Sequence, residues 1–387
     1  MVQLTGAAGL EADLARWFSP FHTRCPTLLQ AVSTRRKATI IGCFTLVGKG
    51  DAMSIRRFAL LLVLGVLVAG TAHAQTWQDI DPISAGWSAE RLEAARLHSK
   101  ALGPTALMIV QDGRVVARWG DTSRKVNMAS VRKSLLSALY GSAVAEGRVN
   151  LSARLSELGI DDNTPSLTAE EKTATIRDLL MSRSGIYHPA AHETADIKRK
   201  RPIRGSHSPG TFWFYNNWDF NVLGTIYRQQ TGEDIFMSFA NRIAGPIGME
   251  DFSVKDGRYD LEKLSEHPAY PIRLSARDAA RFGQLFLNDG RWGAKQIIPA
   301  SWVRESTTAY SWAKRIRQGY GYMWWTLPED TWGPNAFYAS GYGGQIIAVV
   351  PSKRLVAVQT VDLNQNPKGV RTSAFVDLLK EIAVASP

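Results

Sequence analysis

The chain has 387 residues, with 46 Lys+Arg against 35 Asp+Glu and a formal net charge of +11. Positions 1–74 hold 8 of the basic and 3 of the acidic residues; the 38 against 32 that remain give +6, too mild and dispersed a charge for a nucleic-acid partner. Both cysteines, Cys25 and Cys43, fall in the same leading stretch, so the rest of the chain can use neither a disulfide nor a thiol nucleophile.

In chain order, Met53 begins a second N-terminus. Arg56 and Arg57 precede an apolar run from Phe58 to Ala69, and Ala72-His73-Ala74 is a small-residue cleavage site before Gln75. That pattern predicts a secretory signal peptide over 53–74 and an exported protein, periplasmic or secreted, with residues 1–52 an upstream extension of a chain that truly starts at Met53. The run is too short for a stable membrane anchor, which needs roughly 20 residues. Ser88 to Leu102 predicts an amphipathic helix capped by Ser88. Leu107–Val110 and Val115–Trp119 flank Gln111-Asp112-Gly113, whose Asp-Gly pair marks a hairpin.

From Ser130, the residues Leu135, Leu136, Leu139, Ala143 and Val144 recur at helical spacing up to Gly147. The basic run from Lys198 to Arg204 reads as a solvated loop, with contact to anionic envelope polymers as the alternative. Ser275-Ala276-Arg277-Asp278 reads as a capping box. Gln345–Val350 and Leu355–Val361 form a second hairpin around Pro351-Ser352-Lys353-Arg354, and Val370–Val384 a closing helix. Strands at both ends around a helix-rich middle predict an α/β fold. Its antiparallel sheet is built from both termini and flanked by helices, with an inserted all-α lobe at roughly 150–300 of a single 75–387 domain.

Three stations carry chemistry. Ser130 and Lys133 stand three apart, on one face of a helix, which pairs a nucleophile with an amine base. With 29 serines and 15 lysines, about one S-x-x-K arises by chance; a second copy, Ser311-Trp312-Ala313-Lys314, lies in a loop-like stretch with no apolar helix behind it. Lys133 works as a base only if its pKa falls from near 10.4, through burial and cationic neighbours; Arg132 adjoins it but faces another side of the helix. The second station is Tyr215-Asn216-Asn217. The third is Ala339-Ser340-Gly341-Tyr342-Gly343-Gly344, leading into an apolar strand.

With these stations, and with Leu179-Leu180-Met181-Ser182-Arg183-Ser184-Gly185, Pro246-Ile247-Gly248-Met249 and Tyr320-Gly321-Tyr322-Met323-Trp324-Trp325, the chain resembles the serine β-lactamase and penicillin-binding-protein superfamily. The likeness is to the branch of class C β-lactamases, D-Ala-D-Ala carboxypeptidases, family VIII esterases and 6-aminohexanoate-dimer hydrolases. It implies an α/β sandwich with a helical lobe and an acyl-enzyme on Ser130, with Lys133 as base and Tyr215 as proton shuttle. It also implies an oxyanion hole from the Ser130 and Tyr342 N–H groups and substrate contacts from Asn217, Ser340, Gly341 and Gly343, Asn216 being the one-residue alternative to Asn217. The family's third motif usually opens with Lys or His; Ala339 supplies no such anchor for a substrate carboxylate.

The expectation is therefore an exported hydrolase of carboxylic esters or small amides, without cofactor or metal. The alternatives are a β-lactamase or D-Ala-D-Ala carboxypeptidase acting on cell-wall peptides, and a non-catalytic peptidoglycan-binding or sensing protein, with peptidoglycan fragments as ligands. His188 and His192 are four apart, but Pro189 breaks the helix that would aim them at a zinc ion. No G-x-S-x-G elbow or P-loop is present.

Overall fold

A computed structural model describes residues 76–313 and 316–387; the extension 1–52 and the leader-like segment 53–74 lie outside the described residues. Helix α1 (Ala89–Leu102) begins where the extended Ser88 accepts the Arg91 N–H on its hydroxyl, and ends at Gly103 in the left-handed conformation. Strands β1 (Ala106–Gln111) and β2 (Arg114–Gly120) turn at Asp112 and Gly113, both with positive φ, the geometry whose twist suits a two-residue hairpin. The short β3 (Val126–Asn127) leads into helix α2 (Val131–Ala145).

Helices α3 (Ile176–Leu180), α4 (Ala195–Lys200), α5 (Asn217–Thr231) and α6 (Ile235–Phe239) follow. Strand β4 (Arg273–Leu274) pairs with β3, and after α7 (Ala276–Leu287) the pair β5 (Arg291–Trp292) and β6 (Lys295–Gln296) precedes α8 (Ala300–Ser306). The chain then returns to the sheet with β7 (Ser311–Ala313), β8 (Gln318–Tyr320), β9 (Trp325–Thr326), α9 (Glu329–Trp332), β10 (Phe337–Gly341), β11 (Gln345–Val350) and β12 (Leu355–Thr360), and closes with α10 (Thr372–Ala385).

Eight strands form one antiparallel sheet in the order β2-β1-β12-β11-β10-β9-β8-β7, the two ends of the chain meeting where Ala106 faces Thr360 and Gln111 faces Leu355. Alternate side chains divide its core. Met108, Val110, Ile347, Val349, Val356 and Val358 face α2, α7 and the helical lobe. Leu107, Ile109, Ile346, Ala348, Leu355 and Ala357 lie under α1 and α10. With both faces covered, the strands read as unbroken apolar runs such as Ile346-Ile347-Ala348-Val349-Val350.

Three local expectations are corrected. The stretch from Tyr310 to Gly319 is not loop-like: Ser311–Ala313 pairs with Gln318–Tyr320 at the sheet edge. The basic run is partly a helix, α4, because Thr194 caps it and Asp196 pairs with Arg199 and Lys200. Arg201 is bonded to the buried Glu193, and Arg204 to Glu171, so most of the run's charge is neutralised locally. Ser275 does cap α7, but the Asp278 carboxylate turns instead to the N–H groups of Glu250, Asp251 and Phe252. Among the described residues no helix is long and apolar enough to cross a membrane.

Candidate active site

The site is built where α2, α5 and the end of β10 converge. Ala129, with φ +46°, makes a left-handed turn that costs an L-residue about 1–2 kcal/mol and is held by the Asn127 side chain, which accepts the Ala129 N–H at 3.0 Å. The turn delivers Ser130 to the start of α2 with helical rather than extended backbone angles (φ −75°, ψ −10°), so its hydroxyl caps no helix N–H. It is left free for Lys133, whose Nζ lies 3.1 Å away.

Lys133 is 2% exposed, and Nζ stands 2.7 Å from the Tyr215 hydroxyl and 2.8 Å from Asn217 Oδ1, over the Tyr215 and Phe220 rings at 4.3 Å each. Burial pushes the amine well below the usual lysine range, and the Arg132 guanidinium adds to the fall. Among the described residues no carboxylate is hydrogen-bonded to the amine. Arg132 is not turned away, as helix position alone suggests: it is buried against the same helix α5, through Asn221. Tyr215 has its phenol raised by burial, against the opposing pull of its Ser130 hydrogen bond and of Arg132, so it rests as a neutral hydroxyl able to give a proton.

Two neighbouring asparagines separate cleanly. Asn217 is the first residue of α5; its Oδ1 faces Lys133 while Nδ2 donates to the His192 carbonyl at 2.7 Å, leaving one amide N–H for a substrate. Asn216 is the cap, its Oδ1 accepting from the Trp218 N–H and its Nδ2 donating to Asp219 and to the Ile186 carbonyl. The Tyr215 segment is clamped on both sides. Ser182 Oγ donates to the Phe214 carbonyl at 2.6 Å and accepts the Asn216 N–H at 2.9 Å, while Ser184 Oγ donates to Asp219 at 2.5 Å. Asp219 is wholly buried, which pushes its carboxyl well above the usual range.

The third station lies at the end of β10. A Cβ on Gly341 would meet the Met128 carbonyl at 2.4 Å, so this strand end packs directly on the turn before Ser130. The backbone N–H groups of Ser130 and Tyr342 have no acceptor among the described residues, which leaves both for an oxyanion. Ser340 Oγ is 3.2 Å from Thr372 Oγ1 and borders a cleft of about 400 Å³ walled by Trp325, Ile316 and Val376, within the size range of small-molecule sites. Trp325 stacks on Tyr215 at 5.7 Å. Ala339 faces the other way and is fully buried. A Cβ on Gly343, whose φ is +84°, would meet the Leu363 side chain at 2.7 Å, so a side chain has no room there.

The chain matches a Beta-lactamase family model over residues 89–380. It belongs to the Beta-lactamase family. Members are serine hydrolases, and solved structures share the fold. A 6-aminohexanoate-dimer hydrolase homologue from Bacillus anthracis is 19% identical, with TM-score 0.58 over 80% of this chain and 87% of its own. A family VIII carboxylesterase is also 19% identical, with TM-score 0.57 over 76% and 97%. By sequence, an uncharacterised protein of Alkalihalophilus pseudofirmus is 23% identical over 70% of this chain and 87% of its own.

This Beta-lactamase family member gathers Ser130, Lys133, Tyr215 and Asn217 within hydrogen-bond reach. Ser311 stays apart, buried in the edge hairpin. His188 packs on Trp218 and His192 bonds Asp260, and among the described residues no cluster is placed to hold a metal. Sequence reasoning missed Ser182, Ser184 and Asp219; the signal was an acidic residue inside the apolar stretch after Asn217, and two serines in a phrase that carried the family resemblance without a role.

Proposed function

We propose that the chain hydrolyses neutral carboxylic esters or small amides through an acyl-enzyme on Ser130. One observation carries this reading: a buried Lys133 amine, with no carboxylate among the described residues bonded to it, touches the Ser130 hydroxyl, the Tyr215 hydroxyl and the Asn217 amide oxygen. In the first step Ser130 Oγ bonds to the substrate carbonyl carbon as its proton passes to Lys133 Nζ, and the carbonyl electron pair becomes an oxyanion between the N–H groups of Ser130 and Tyr342. Collapse of that intermediate expels the alkoxide or amine, which takes a proton from Tyr215, itself recharged by Lys133. Water repeats the sequence on the acyl group, and Ser130 leaves with its proton restored.

Preference for substrates without a carboxylate is supported by Ala339, which offers no cation, and by the Trp325 ring stacked on Tyr215. The ester and amide hydrolases among its structural neighbours are consistent with it. A fluorophosphonate probe should label the wild type and Ser311→Ala but not Ser130→Ala. In a panel of p-nitrophenyl esters, linear amides and nitrocefin, esters or amides should turn over fastest. Labelling that survives Ser130→Ala would remove Ser130 from the reaction, and nitrocefin as the best substrate would overturn the substrate class.

A further inference from the structure

Lys133 and Arg132, at 2% and 4% exposure, lean on the same helix one turn apart. Lys133 meets Asn217 and Phe220. Arg132 Nη2 donates to Asn221 Oδ1 at 3.1 Å, and its guanidinium lies 4.4 Å over the Tyr270 ring, whose hydroxyl donates to the Phe220 carbonyl at 3.1 Å. Arg132 Nη1 has no hydrogen-bond partner, and among the described residues no carboxylate pairs with the guanidinium. A buried cation without a counterion costs stability that an apolar side chain of similar volume would not.

The titratable groups around the pair do not cancel its field. Tyr215 and Tyr270 are neutral phenols whose ionisation burial opposes. His192 reaches Asp260 with Nε2 and Glu262 with its backbone N–H, so those two carboxylates are spent on it. On α5, Asp219 is turned to Ser184 and Asn216, and burial favours its neutral form.

We infer that Arg132 is a positioning residue for the reaction, a fixed buried cation whose field holds the neighbouring Lys133 amine in its neutral, proton-accepting form. The inference rests on the proposed role of Lys133 as base. A cation near a second cation disfavours its protonation, and in a dry setting that interaction is poorly screened. Arginine suits the task because it stays charged throughout the working pH range.

The test is the titration of Lys133 itself, read by NMR on the full chain carrying ¹³Cε-lysine, with the signal assigned through Lys133→Met. Arg132→Met should move the Lys133 midpoint upward by about one pH unit or more. Should Arg132→Met fail to fold, Asn221→Asp sets a carboxylate against the guanidinium and should shift the midpoint in the same direction. The acid limb of kcat/KM for p-nitrophenyl butyrate should move with the midpoint, about tenfold in rate on the limb for each unit, while the alkaline plateau is kept. A merely structural Arg132 would lower the plateau and leave limb and midpoint in place, and an unmoved midpoint in a folded variant overturns the inference. Absence of ester hydrolysis in the wild type would count against the proposed function alone, since the NMR midpoint needs no substrate.

Discussion

Gly341→Ala tests the geometry of the proposed oxyanion hole. The new Cβ would stand 2.4 Å from the Met128 carbonyl, 3.0 Å from the Gln345 Cβ and 3.2 Å from the Ala129 Cβ. The carbonyl cannot retreat, because it accepts the Val131 N–H at 3.0 Å while the Met128 N–H is tied to the Ile272 carbonyl at 2.9 Å. The end of β10 must therefore withdraw by about 1 Å, carrying the Tyr342 N–H away from Ser130, a misplacement large enough to cost roughly a hundredfold in rate. Loss of one oxyanion donor costs about 10²- to 10³-fold, and overpacking about 1–3 kcal/mol of stability. Gly147→Ala is the control: its φ is +69° with no atom within 4 Å of the new Cβ, so it should lose about 1 kcal/mol of stability and no activity. The assay is kcat on p-nitrophenyl butyrate beside a thermal melt. A folded Gly341→Ala within about threefold of wild-type kcat would refute the reasoning.

Asp219→Asn should keep the acceptor oxygen used by Ser184 and Asn216 while removing a titration. Because burial raises the native carboxyl above its unfolded value of 3.8, the native state binds more protons in that window, and wild-type stability falls as pH rises through it. The Tm gain of Asp219→Asn over wild type should thus be larger at pH 8 than at pH 4, and a gap independent of pH would sink the idea. Ala339→Lys, which the family motif suggests would restore a carboxylate anchor, should instead destabilise the protein by several kcal/mol, since the position is fully buried and pairs with Ile347 in the apolar core. A folded variant that a fluorescent penicillin acylates faster than wild type would contradict this.

Where local chemistry decides the backbone, the sequence is a faithful guide. Ser88 can cap and Gly103 can stop a helix without help from distant residues, and Asp112-Gly113 turns a hairpin because both residues tolerate positive φ. The strands at the sheet edge are different. Segments such as Trp325–Thr326 and Gln318–Tyr320 are two or three residues long, too short for any alternation to show; Phe337 and Tyr338 of β10 offer a neighbouring backbone to Trp325–Thr326, which in turn offers one to Gly319 and Tyr320. Lys198 to Arg201 misleads in the opposite sense. Four like charges in a row read as solvated loop, yet Asp196, at three and four positions' distance, turns two of them into the ion pairs of a short helix.

The same division runs through the site. Spacing alone puts Ser130 and Lys133 on one helix face, and motif order points to Tyr215, but whether Asn216 or Asn217 meets the lysine depends on where α5 begins. The cap position sends the Asn216 side chain back toward the Trp218 N–H and Asp219, and the first helical position turns Asn217 to Lys133. Ionisation is harder still to read from sequence. The proposed role of Lys133 as a base depends on Phe220 and Tyr215, which exclude water from it, on Asn217, which offers it an amide oxygen instead of a carboxylate, and on Arg132, buried beside it; three of those four residues are more than 80 positions away in the chain. Two chains with identical S-x-x-K segments can therefore differ by orders of magnitude in nucleophile strength, and the difference is set by the helix that packs across the motif.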